Sequence, residues 1–86
     1  MKGKAVCRID SLPPESLEFE NVVLTYVSRE SMVILSRENG DEPEELLVME
    51  SATVDILSRT EIDLEGFVCP NELDKRFFRC RIKFRV

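Results

Sequence analysis

The chain has 86 residues, 43% of them hydrophobic and 34% charged, with a formal net charge of −5; this composition fits one small globular domain, residues 1–86, and argues against wholesale disorder. No apolar run approaches the roughly 18 residues that cross a bilayer as a helix, and the basic start at Lys2 and Lys4 leads into no apolar stretch of signal-peptide length. The chain contains no His, the commonest general base and metal ligand, so composition points away from an enzyme.

Lys4 to Ile9 holds enough Val, Cys and Ile for a short strand. Pro13 and Pro14 remove two backbone donors and mark a turn. From Leu17 to Ser28, Leu17 and Phe19 alternate with Glu18 and Glu20, and β-branched and aromatic residues continue through Tyr26. A turn at residues 28–31 leads into a buried strand, Met32 to Ser36, and the two runs together predict a β-hairpin. Residues 37–45 contain Asn39-Gly40, Pro43 and a cluster of acids, which predicts a solvated loop. Residues 43–49 allow one helical turn at most. Residues 51–58 return to alternation, with Ala52, Val54 and Ile56 on one face.

The last third is the most regular. Ile62 and Leu64 alternate with Glu61, Asp63 and Glu65. After a loop at residues 70–75, Phe78, Cys80, Ile82, Phe84 and Val86 fall on one face, with Arg79, Arg81, Lys83 and Arg85 on the other. A period of two over nine residues is unusable by a helix. The acidic face of one strand is therefore expected beside the basic face of its hairpin partner, with cross-strand ion pairs of about 0.2–1 kcal/mol each. Residues 75–86 hold six basic side chains and no acid, whereas residues 1–74 hold six basic side chains and all seventeen acids. An acidic body disfavours non-specific binding of nucleic acid, while the basic end offers a local anion-attracting face.

Cys7, Cys69 and Cys80 are an odd number at wide spacing with no C-x-x-C, so neither a disulfide framework nor a zinc site is expected, and all three read as reduced thiols of a cytoplasmic protein. Asp41, Glu42, Glu44 and Glu45 lack the spacing of a calcium loop, and no metal site is expected. Six closely spaced strand candidates without a strong helix predict an all-β fold, a small closed antiparallel β-barrel.

The order of segments resembles a PilZ domain, the bacterial β-barrel family best known as cyclic di-GMP receptors. The family carries an R-x-x-x-R pair just before its first strand, for which Lys4 and Arg8 are the nearest counterparts. Its D/N-x-S-x-x-G turn would fall on residues 26–31, where Ser28 matches, Tyr26 stands in place of the acid or amide and Ser31 in place of the glycine. Residues 77–84 look like the family's final strand.

The resemblance implies a non-catalytic PilZ-like signalling and protein-interaction module in bacterial motility or surface signalling. On this pattern Lys4, Arg8 and Ser28 would be the nucleotide contacts, with cyclic di-GMP bound weakly or not at all and no other cofactor. Arg79, Arg81, Lys83 and Arg85 are the candidate surface for another protein or for self-association through the C-terminal strand, without membrane insertion. The alternatives are a genuine cyclic di-GMP receptor with altered motifs, or a small barrel binding single-stranded nucleic acid through its basic strand.

Overall fold

The computed structural model describes residues 2–11, 13–27, 31–39, 41–71 and 74–85. They form six antiparallel strands: β1 (Gly3–Ile9), β2 (Glu15–Val27), β3 (Met32–Asn39), β4 (Glu42–Ser58), β5 (Glu61–Asn71) and β6 (Asp74–Phe84). Each strand pairs with the next in sequence, and β6 returns to pair with β1, so the sheet closes into a barrel. The all-β barrel expected from alternation is the fold found. The described residues contain no helix long and apolar enough to cross a membrane.

Two long strands make the corners. The first part of β2 pairs with β1, and residues 22–27 pair with β3. Likewise residues 42–49 of β4 pair with β3, and residues 50–58 pair with β5. Each changeover carries a register shift and a non-glycine residue at positive φ, Asn21 at 55° and Ser51 at 52°. An extra residue on one strand bends it and tightens its twist, which lets one strand serve two faces of the barrel. Gly66 of β5 is buried where the β4 corner approaches. A Cβ there would lie 3.0 Å from the Cβ of Met49 and 3.2 Å from that of Ala52.

The core is filled from all six strands: Ala5, Cys7 and Ile9, then Val22, Val33, Leu35, Met49, Ala52 and Leu64, and finally Phe78, Cys80 and Ile82. No polar or charged residue is buried among the described residues. The inward placement of Phe78, Cys80 and Ile82 follows the alternation of the last strand, and Phe84 is half-buried beside them; Val86 lies outside the described residues.

Several expectations are corrected. The solvated loop at residues 37–45 is mostly strand: β3 runs to Asn39 and β4 begins at Glu42, with Asn39 opposite Glu42. Gly40 of the expected turn lies outside the described residues. Residues 43–49 form no helical turn but belong to β4, because pairing with β3 from Met49 to Glu42 satisfies the backbone groups that face it. The cysteines are not all reduced: Cys7 and Cys80 face each other across the β1–β6 pairing and are joined in a disulfide, leaving Cys69 free. The chain separation of 73 residues hid this pair. A cytoplasmic setting thereby loses its support from the thiols, since disulfides persist in oxidising compartments.

Candidate functional site

Alternation in β1 sends Ala5, Cys7 and Ile9 inward and leaves Lys4, Val6 and Arg8 outside. The same rule in β6 leaves Arg79, Arg81 and Lys83 outside. The antiparallel register then sets Lys4 opposite Lys83, Val6 opposite Arg81 and Arg8 opposite Arg79. Two groups of basic residues 71 or more positions apart in sequence thus meet on one outer face. They line an open groove of about 640 Å³ whose floor includes Val6, which is 42% exposed.

Acids flank this basic seam on both sides. On the β5 side, Arg81 donates from Nε to Asp63 Oδ1 at 2.8 Å and from Nη2 to Asp63 Oδ2 at 3.1 Å, and its Nε also lies 3.3 Å from Glu61. Arg79 lies 3.6 Å from Glu65. On the β2 side, Lys4 lies 3.8 Å from Glu18 and 3.6 Å from Glu20, and Arg85 lies 3.5 Å from Glu20. The expected acidic-beside-basic pairing of the last two strands is therefore present. The hydrogen bonds from Arg81 hold the Asp63 carboxyl below the ordinary aspartate value, and the same bonds raise the Arg81 guanidinium.

Arg8 and Lys83 take part in no ion pair among the described residues. Arg8 has Ser16 on one side and Arg79 on the other. Lys83 stands between Lys4 and Glu61. Like charges set directly opposite each other destabilise a sheet, and the Lys4–Lys83 and Arg8–Arg79 rows on either side of Val6 and Arg81 keep that repulsion.

Beyond Arg79 the face becomes aromatic. Phe77 and Phe67 are opposite each other, packed edge to face with centroids 5.3 Å apart, and the Arg79 guanidinium lies 5.3 Å from the Phe77 ring centre. Phe67 is 41% exposed. Alternation alone marked Phe77 as outward but gave no sign that Phe67 would stand beside it.

Lys4 and Arg8 lie within β1 rather than before it. Ser28, the third candidate nucleotide contact, lies outside the described residues. Ser31 has φ 47°, the left-handed conformation that glycine adopts most readily. Tyr26, an apolar strand residue of the kind that a small protein usually places in its core, is 54% exposed. The strand β6 has neighbours on both sides, so it offers a side-chain face and no free backbone edge. Cys69 is half-buried, with its thiol 3.9 Å from a Glu50 carboxylate oxygen. No group of three or more Cys, Asp or Glu side chains among the described residues is placed to hold a metal ion. No protein-family model, curated protein or solved structure matches the chain.

Proposed function

We propose that the protein is a non-catalytic interaction module of PilZ-like form whose β1–β6 outer face receives an acidic segment of another protein. The observation that carries this reading is the register that sets Lys4 against Lys83 and Arg8 against Arg79. An incoming carboxylate would relieve a repulsion that the flanking acids reach only from the sides. Those flanks, Glu18 and Glu20 on one side and Glu61, Asp63 and Glu65 on the other, suit a narrow ligand lying along the seam. They repel a broad polyanion, as does the net charge of −5. The positive φ of Ser31, at the place where the PilZ turn has its glycine, supports the PilZ-like form.

A second reading draws on the aromatic end of the face. Phe67, Phe77 and Arg79 together have the chemistry of a base-stacking platform, which a single-stranded nucleic acid or cyclic di-GMP would use. A fluorescence anisotropy titration separates the two, with an extended Glu-rich peptide, cyclic di-GMP and single-stranded RNA as probes. The peptide is expected to bind, to weaken as salt rises from about 50 to about 500 mM, and to be lost in the Arg8→Glu/Arg79→Glu variant. Saturable binding of RNA or cyclic di-GMP that falls on Phe77→Ala, with no binding of the peptide, would replace the first reading with the second.

A further inference from the structure

Cys7 and Cys80, which face inward, lie 4.0 Å apart at Cα, the closely spaced kind of antiparallel pair. The two kinds alternate along a ladder, so every outward pair of β1 and β6 is of the wide, hydrogen-bonded kind, about 5.5 Å at Cα. The bond from the Asp10 N–H to the Phe77 carbonyl, at 3.0 Å, fits this alternation. The outward side chains therefore stand in two rows with a furrow between them, and successive rungs are about 6.8 Å apart, two residues of strand. The rungs are Lys4–Lys83, Val6–Arg81, Arg8–Arg79 and then Asp10–Phe77. They are chemically unequal. Lys83 and Arg8 take part in no ion pair among the described residues, whereas Arg81 is occupied by Asp63 and Glu61 and leaves the exposed Val6 as the open surface of its rung. At the last rung is a hollow of about 190 Å³ that shares Arg8 and Arg79 with the groove and is lined beyond them by Ile9, Asp10, Pro14 and Phe77.

The chain itself shows what matches the β6 row. On β5, Glu61, Asp63, Glu65 and Phe67 stand opposite Lys83, Arg81, Arg79 and Phe77. An extended chain laid along the furrow has the same repeat of about 6.8 Å, so its alternate side chains fall one to a rung. We infer, resting on the proposal that this face receives an acidic segment, that the segment is extended and carries an acid, an apolar residue, an acid and an aromatic residue at alternate positions. The first acid meets Lys4 and Lys83, which repel each other without it. The apolar side chain covers Val6, because Arg81 on that rung already has its carboxylates. The second acid meets Arg8 and Arg79. The aromatic side chain enters the hollow beside Phe77, where Asp10 disfavours a third acid.

Fluorescence anisotropy of labelled peptides with the full chain tests this order, at about 50 mM salt, where exposed charges are weakly screened. The probe is Glu-Ser-Val-Ser-Glu-Ser-Phe, made in both chain directions. The control, Glu-Ser-Val-Glu-Ser-Ser-Phe, has the same composition and charge, but its acids point to opposite faces of an extended chain. The probe in at least one direction is expected to bind about tenfold or more tightly than the control in either, and changing its Phe to Ser should weaken it by about tenfold. The Lys4→Glu/Lys83→Glu variant should lose the probe and regain binding when the acid farther from Phe becomes Lys. Arg8→Glu/Arg79→Glu should regain it when the nearer acid becomes Lys. Circular dichroism and melting check the fold of each variant, and regained binding is a result that mere unfolding does not produce. Equal binding of probe and control, a Phe-to-Ser change without effect, or a rescue that fails or does not depend on which acid is changed would overturn this order and leave the acidic-segment reading standing. No binding of any peptide to the wild type would overturn both.

Discussion

Arg81 binds Asp63 through two parallel bonds, a fork that the point charge of a lysine does not reproduce. Because the folded pKa of Asp63 is lowered, the pair contributes stability above the ordinary aspartate value of 3.8, and that contribution is lost as pH falls through the lowered folded value. The urea midpoints of wild type and Asp63→Asn should therefore differ near about pH 6 and converge near about pH 2. NMR titration should find the Asp63 carboxyl moving upward in Arg81→Ala. At Ser31, the positive φ is a conformation that costs a non-glycine residue roughly 1 kcal/mol. The spacing of residues in this turn was readable from the chain, but the sign of the angle was not, because serine gives no indication of a left-handed backbone.

Among the elements, β4 departs furthest from its sequence signals. Pro43 and the acids around it suggested a loop and one helical turn, yet the strand runs for 17 residues and bends at Ser51. Proline is tolerated near the start of the strand because residues 42–49 pair with β3 on one side only. Replacing Ser51 by Gly should relieve the positive φ and raise stability by up to about 1 kcal/mol, read as a higher urea midpoint with unchanged slope. Gly66→Ala should act in the opposite direction by about 1–3 kcal/mol, because the new methyl group would press on Met49 and Ala52 where the strands come closest. Alternation also put Val54 and Ile56 on the same side as Ala52, which is correct, since they stand opposite Leu64 and Ile62. It could not show that both would be exposed, because the pairing of β4 with β3 reaches no further along β4 than Met49, opposite Val33 near the start of β3.

At the scale of the whole molecule, neighbouring strands in sequence are neighbours in the sheet, and only the β1–β6 pairing joins the two ends of the chain. That closure carries the Cys7–Cys80 bond and the basic seam together. A cross-link over 73 residues removes much of the freedom of the unfolded chain, and its loss should cost about 2–4 kcal/mol. Chemical denaturation of the oxidised protein beside a Cys7→Ala/Cys80→Ala variant checks this, with a lower midpoint expected for the variant. Little change would show that the β1–β6 ladder holds the ring without the bond.

The sequence by itself determined the all-β fold, the inward row of Phe78, Cys80 and Ile82, and the acidic strand beside the basic one. Each of these depends on the period of two within a strand or on the pairing of strands joined by a short turn, and both are local. Only the tertiary structure decided the disulfide, the meeting of Lys4 and Arg8 with Arg79 and Lys83, and the exposure of residues 53–58 of β4. These depend on which distant strands become neighbours and in what register, and that choice comes from closing the ring around a shared core, which no single segment encodes.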